Sequence, residues 1–324
     1  MAVYTKLTSL NIEEFLKNYQ IGNLVSFQEI IDGIDNSNFI IVTTSGKFIL
    51  TIFESRIKKD ELPFFMNLKL HLAKEGICCP APIANNSGAL IDKVNGKPAS
   101  IVTFLDGATL KPREDGYYLN ITNKHCFEVG QVLAHLHLAA ANFIGFRKND
   151  LGIYGWRNLF NQIAVSIKDY KKDLDVEIKS YLDFLEKNWI QELPSGAVHT
   201  DLFPDNVFFN QNNELNGVID FYFSANDSFI YDLAVAINAW CFDENNNFSQ
   251  AKFNSILEGY GKIRKLEKNE QEFLKIALIG ASLRFLLTRL YDLFHTKENS
   301  LVKIKNPDEY LQKIRFFTLG LKNS

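Results

Sequence analysis

The hydrophobic period of this chain changes once, near residue 105, and that change restricts the fold more than any single residue does. Before it, β-branched and aromatic runs alternate with turn residues. Val25–Ile31, Phe39–Thr43 and Phe48–Phe53 read as strands, separated by Asp32-Gly-Ile-Asp-Asn-Ser-Asn38 and Thr44-Ser-Gly-Lys47. Glu61–Lys74 carries Leu62, Phe65, Leu68 and Leu72 near one face and stops at Gly76, the pattern of a helix. Two more strands are expected over Ala89–Val94 and Ala99–Phe104, and Leu105-Asp-Gly107 then breaks the pattern as a hinge.

Beyond the hinge the spacing becomes helical. His125–Phe143 places Val129, Val132, Leu133, Leu136 and Ala140 on one side; Asn158–Asn188 and most of Asp227 to the C-terminus repeat the pattern. One β-like island interrupts them, at Gly196–Val198, Val207–Asn210 and Leu215–Phe221. The expectation is an α+β, two-lobe fold, with a small sheet-plus-helix lobe over 1–104 and a larger, mainly helical lobe over 105–324.

Composition excludes several classes of function. At 324 residues, 46% hydrophobic and 23% charged, the chain is too apolar for disorder and long enough to form a large core without disulfides or metal staples. A net charge of −3 supplies no basic field for a nucleic-acid backbone. Cys78, Cys79, Cys126 and Cys241 lack zinc spacing and read as free thiols of a reducing cytosol. The N-terminus lacks the plan of a signal peptide, and Ile276–Leu287, cut by Arg284, is too short to span a bilayer. A cytoplasmic protein that binds neither nucleic acid nor membrane is expected.

The chemistry is concentrated in His199-Thr-Asp-Leu-Phe-Pro-Asp-Asn206 and the strand that ends at Val218-Ile-Asp-Phe221. Phosphoryl transfer from ATP needs one carboxylate to orient the attacking hydroxyl, and an amide and a second carboxylate to hold Mg²⁺. Asp201, Asn206 and Asp220 make up such a set, with the H-x-D-x4-N spacing of a kinase catalytic loop. The plain alternative is a polar loop whose Asp and Asn merely form turns. The strand-end Asp and the order of the lobes favour the kinase reading, with His199 bracing the loop. His135 and His137, two apart on a helix, point to different faces and cannot chelate together.

Together with Leu133-Ala-His-Leu-His137 and Tyr231-Asp-Leu-Ala234, this segment resembles the aminoglycoside phosphotransferase-like branch of the protein-kinase fold. Within that branch the chain resembles the bacterial homoserine kinases, through Asn36-Ser-Asn-Phe39, Phe48-Ile-Leu-Thr-Ile-Phe-Glu54, Glu61-Leu-Pro-Phe-Phe65, Cys79-Pro-Ala-Pro-Ile83, His199-Thr-Asp-Leu-Phe203 and Ala281-Ser-Leu-Arg-Phe285. The resemblance implies ATP and Mg²⁺ as cofactors and L-homoserine as the small-molecule substrate. It implies Asp201 as catalytic base, Asn206 and Asp220 as Mg²⁺ ligands, and a turn from Gly33 through Asn36, Ser37 and Asn38 over the triphosphate. Phe104 and Leu105 would offer backbone groups to adenine, and Asp232 would brace the catalytic loop.

Two departures from the kinase pattern stand out. The phosphate turn has a single glycine, Gly33, so Asn36, Ser37 and Asn38 must supply donors. Thr51 occupies the strand position where a kinase has lysine, which leaves the helix residue Glu61 without its usual partner; Lys47, four positions earlier on the same strand face, is too far back to replace it. For the substrate, Arg284 and Asp205 are the candidates. Arg284 shares its helix face with Ala277, Gly280, Ala281 and Thr288, a small-residue surface open to a ligand or to another backbone, and its guanidinium suits a carboxylate. That Arg284 merely ties helices together stands beside this reading, and Arg289 reads as half of a surface ion pair with Asp292. Two other functions remain in competition: a kinase of this fold acting on choline, another amino alcohol or an aminoglycoside, and a pseudokinase-like nucleotide-binding module.

Overall fold

A computed structural model describes residues 5–31, 36–54, 57–113, 116–296 and 304–322. Two units emerge: residues up to Gly107 together with Asn216–Tyr222, and Ala108–Leu215 together with Phe223 onward.

The first unit opens with α1 (Ser9–Leu16), followed by β1 (Leu24–Ile30), β2 (Asn36–Thr43), β3 (Gly46–Phe53), α2 (Leu62–Lys74), β4 (Pro82–Ile83), β5 (Asp92–Val94) and β6 (Lys97–Thr103). The strands pair antiparallel in the order β1-β2-β3-β6-β4, and β5 adds to β6. Alternation explains the core: Phe39 and Ile41 of β2 and Leu50 and Ile52 of β3 are fully buried, as is Ile12 of α1. Burial of each such side chain contributes about 1.5–3 kcal/mol. Helix α1, absent from the expectation, is set by a capping box between Thr8 and Asn11 and buries Ile12, Phe15 and Leu16.

The second unit contains β7 (Ala108–Thr109), α3 (Asn123–Ala140), α4 (Ile153–Tyr170), α5 (Leu174–Asn188), β8 (Ser195–Val198) and β9 (Val207–Phe209). Then follow β10 (Leu215–Val218), whose last three residues belong to the first unit, β11 (Ala225–Ser228), α6 (Phe229–Trp240), α7 (Gln250–Ile263), α8 (Lys268–His295) and α9 (Asp308–Lys322). The stretch expected as one pattern over 158–188 is two helices, because the chain turns at 171–173, where Asp173 takes φ 62°. Every residue of α6 is buried, which makes it the axis of the unit. Its Asn238 donates to the Leu278 carbonyl of α8 at 3.2 Å and accepts from Ser282 Oγ at 2.7 Å. Helices α3 and α7 meet backbone to backbone: a Cβ on Gly130 would lie 2.2 Å from the Ile256 carbonyl oxygen, and one on Gly259 2.0 Å from that of Phe127.

The expected single cut after Phe104 differs from this division, which also returns Asn216–Tyr222 to the first unit. Asn216 Nδ2 donates to the Asp106 carbonyl at 2.7 Å and Val218 N–H to that of Cys78 at 2.9 Å. Gly217, with φ +156°, has no Cβ to collide with the Cys78 carbonyl oxygen. These partners lie more than 100 residues away in sequence, beyond the reach of any local pattern.

Candidate active site

In the second unit the chain leaves β8 at Val198 and runs through His199–Phe203 into a single 3-10 turn, Pro204–Asn206, before β9. Thr200 adopts φ 62°, unusual for a β-branched residue, so the neighbouring contacts must hold it. They do so from several sides. Buried Asp232, in the first turn of α6, accepts from His199 N–H at 2.8 Å and Thr200 N–H at 2.7 Å. Thr200 Oγ1 donates to the Phe223 carbonyl at 3.0 Å, and Trp240 Nε1 to the Leu202 carbonyl at 2.8 Å. His199 Nδ1 accepts from Asp201 N–H at 3.2 Å, so this fully buried imidazole shapes the loop. His137 is buried against Asp232 at 3.0 Å and Tyr260 at 2.7 Å, whereas His135 is exposed.

The loop brings two of the expected residues together. Asn206 Nδ2 donates to the Asp201 carbonyl at 2.8 Å and to Asp201 Oδ2 at 3.3 Å, which leaves the Asn206 side-chain oxygen as a hard ligand. Asp201 is half-buried, and burial pushes its carboxyl above the ordinary carboxylate range, against the pull of Arg284, His199 and Lys305. For Asp232, burial works in the same direction, yet His137, His199 and the loop amides outweigh it and hold that carboxyl low.

Arg284 is 2% exposed, and one of its guanidinium NH2 groups donates to the Thr200 carbonyl, while Nε is buried without a partner. The small-residue face expected to leave room beside it is filled: a Cβ on Gly280 would lie 2.6 Å from the Trp189 ring and 2.7 Å from Trp156. Arg289 is not half of a surface pair. It is 7% exposed, donates to Glu309 at 2.5 Å and to the Asn306 carbonyl at 2.8 Å, and lies over the Tyr310 ring. Lys313, 3% exposed, bonds the other Glu309 oxygen at 2.6 Å. Glu309, although buried, is held at about 2 by these two cations. Sequence reasoning missed this set because its members lie on two helices; the i,i+4 spacing of Glu309 and Lys313 was the only local signal. Beside it, Lys305 is exposed over the Phe203 ring, and half-buried Asp205 faces Tyr118, whose phenol is pushed up by burial, then by Asp205 and Asp201.

In the first unit, Asp220 is exposed and takes φ 64°. Next to it, Tyr222 packs edge-on against Phe53 and Phe65, and its hydroxyl is hydrogen-bonded with Thr51. Thr51 also donates to Asn38 Oδ1 at 2.8 Å across the β2–β3 pair. Where lysine was sought on the strand, the buried cation among the described residues of this unit is Lys69 of α2, 5% exposed and 5.3 Å from the centre of the Tyr222 ring. Burial lowers it to about 8, against the pull of Cys79 and Asp220. Ser37 is fully buried and donates to Glu54 Oε1 at 2.8 Å, and Asn36 Oδ1 accepts from Glu54 N–H at 3.3 Å. Ser37 therefore braces the β2–β3 end, and Asn36 does so through its side-chain oxygen. Glu61 pairs with Lys58 at 3.5 Å, a partner one turn away on its own segment. Phe104 lies under Lys47 at 5.5 Å, and Leu105 sits against Gly217. Gly33 lies outside the described residues.

The comparisons with known proteins agree with this architecture. The structure is similar to that of amicoumacin kinase in complex with AMP-PNP, Ca²⁺ and Ami, at TM-score 0.68 and 14% identity, covering 97% of this chain and 92% of the other. It is also similar to spectinomycin phosphotransferase with ADP and spectinomycin, at TM-score 0.65 and 15% identity, covering 97% and 95%. The fold has the protein-kinase-like architecture, and the family and relatives that match the sequence make the chain an ATP-dependent phosphotransferase with an alcohol acceptor. The model of the phosphotransferase enzyme family matches residues 26–266. Homoserine kinase of Bartonella henselae is 46% identical over 98% of this chain and 97% of its own length, and that of Xanthobacter autotrophicus 45% identical over 98% and 96%. The chain belongs to the homoserine kinase family within the phosphotransferase enzymes.

Proposed function

We propose that the chain transfers the γ-phosphoryl group of ATP to the side-chain hydroxyl of L-homoserine, giving ADP and O-phospho-L-homoserine for threonine synthesis. The observation that carries this is 43–47% identity to homoserine kinases across 98% of the chain. Asp201 orients the acceptor hydroxyl and accepts its proton, so that the oxygen attacks γ-phosphorus as the bond to the ADP oxygen breaks. Asn206 supplies an amide oxygen and Asp220 a carboxylate to Mg²⁺; this set suits an ion that takes one or two protein carboxylates and completes its shell with water and phosphate. When bound, the ion neutralises charge on the phosphates. His199, Asp232 and Arg284 are positioning residues, since each fixes backbone of the loop that carries Asp201. Backbone groups of Phe104 and Leu105 meet adenine, and the segment Asn36 to Asn38 meets the phosphates.

The test is ADP release from ATP with L-homoserine, choline, 3-aminopropan-1-ol and an aminoglycoside, with and without Mg²⁺. Mg²⁺-dependent turnover that favours homoserine is expected, and Asp201→Asn should lower it about 10²–10⁴-fold without unfolding the protein. Better turnover of choline would assign an amino-alcohol kinase. ATP binding without turnover of any acceptor would assign a binding module.

A further inference from the structure

The second unit has a recess beside the catalytic loop, lined by Tyr118, Phe203, Phe242, Arg289, Lys305 and Lys313, with Glu309 and Asp243 as its acids. Arg289 and Lys313 share one carboxylate, Glu309, and both are nearly buried. Asp243 accepts from the backbone N–H groups of Asn245 and Asn247 in its own turn. Lys305 adds a third cation at the exposed mouth, where the contact made by its ammonium is the Phe203 ring, 5.4 Å away. Among the lining residues three cations face two acids, with Asp201 and Asp205 of the adjacent loop acting on Lys305 and Tyr118, and the faces of Phe242 and Tyr310 lie against Lys313. Lys305 is the lining cation able to swing onto an anionic group without dismantling a buried pair.

The recess also adjoins the reacting carboxylate. Phe203 follows Asp201 by two residues, Lys305 acts electrostatically on Asp201, and Tyr118 feels both Asp205 and Asp201. Asp205, half-buried on the same loop, offers the opposite charge a few residues from the base. Arg284, the other candidate, is 2% exposed and committed to the Thr200 carbonyl, which leaves a dissolved ligand almost no surface to reach.

We propose that this recess binds the amino-acid end of the acceptor, with Lys305 as the partner of its α-carboxylate and Asp205 as the partner of its ammonium. The assignment rests on the homoserine reading and deepens it: carboxylate recognition at Lys305 separates an amino acid from an amino alcohol of the same length. The test compares L-homoserine with 3-aminopropan-1-ol, the same molecule without the carboxylate, in the parent, Lys305→Met and Lys305→Arg proteins. Losing a hydrogen bond to a charged group corresponds to about 10- to 100-fold. Lys305→Met should therefore raise KM for homoserine by about that factor. KM for ATP should stay in place, kcat/KM for 3-aminopropan-1-ol should fall much less than that for homoserine, and Lys305→Arg should recover most of the loss. An unmoved homoserine KM, or an equal fall for both acceptors, overturns the assignment to Lys305 while the homoserine reading stands. A parent enzyme that prefers 3-aminopropan-1-ol overturns both.

Discussion

Replacing Asp232 tests whether the catalytic loop is held from behind. In Asp232→Ala, the His199 and Thr200 N–H groups lose a fully buried acceptor at 2.8 and 2.7 Å, and His137 Nε2 loses one at 3.0 Å. A buried donor left unsatisfied costs about 1–3 kcal/mol. The imidazole keeps its bond to Tyr260 and can change tautomer, so the two amides dominate and the loss comes to about 4 kcal/mol. With an unfolding entropy of about 2.1 cal/mol/K per residue, a chain of this length should lose about 6 °C in Tm. Asp232→Asn keeps one acceptor oxygen but turns an NH2 group toward the second amide, and should lose about half as much. Turnover should fall more than tenfold in Asp232→Ala, since Thr200 at φ 62° has little reason to stay there unclamped.

The same carboxyl sets a pH signature. Burial raises its pKa, but His137, His199 and the amides pull it below the ordinary 3.8, so the folded protein binds this proton less readily than the unfolded chain. Its contribution is therefore complete above that value and fades as pH falls through it. Urea unfolding of parent and variant from pH 7 down to pH 3 should show a gap that narrows only at the acid end. An Asp232→Ala protein within 1 kcal/mol of the parent at pH 7, with turnover intact, would refute the clamp.

Lys69→Met should stabilise the protein at neutral pH. Burial lowers the lysine from 10.5 to about 8, so the unfolded chain holds the proton more tightly between those values, and the parent should gain about 3 kcal/mol as pH rises across that window. Urea titrations at pH 7 and pH 10 should show this gain in the parent and not in the variant; equal slopes would contradict it. Gly259→Ala should cost about 3 kcal/mol, because its Cβ would lie 2.0 Å from the Phe127 carbonyl oxygen and force α3 and α7 apart. An unchanged Tm would mean that these helices do not meet through their backbones.

What the sequence made legible was whatever depends on near neighbours. Strands β1 to β3 follow from alternation, α2 from its apolar stripe, and the loop of His199 to Asn206 from residues within eight positions of one another. Helix α1 escaped because eight residues carry too little period, although Thr8 and Asn11 form a readable cap. The break between α4 and α5 escaped because Lys171-Lys-Asp173 contains neither Gly nor Pro, and the left-handed residue is an aspartate. The return of Asn216–Tyr222 to the first unit was illegible for a different reason: its contacts, Cys78, Leu105 and Asp106, are set by tertiary packing.

The site divides along the same line, and the division explains why its arginines and lysines were harder to read than its acids. Asp201 and Asn206 are joined by hydrogen bonds five positions apart, so their spacing carries the information. The cations act across elements. Arg284 reaches 84 positions back to Thr200, and Arg289 reaches 20 positions forward to Glu309. Arg284 and Arg289 are both buried, so amphipathicity could not separate a solvent pair from an interior one. A long cationic side chain has enough reach that its position in the sequence says little about where its charge lies. Thr51 and Lys69 make the point within one unit. The strand offers a hydroxyl, the helix offers the ammonium, and both reach Tyr222, one through its hydroxyl and the other over its ring. A reading that looks for lysine only on the strand finds a deficit, whereas the folded unit has moved the charge to the facing element and kept it beside Asp220.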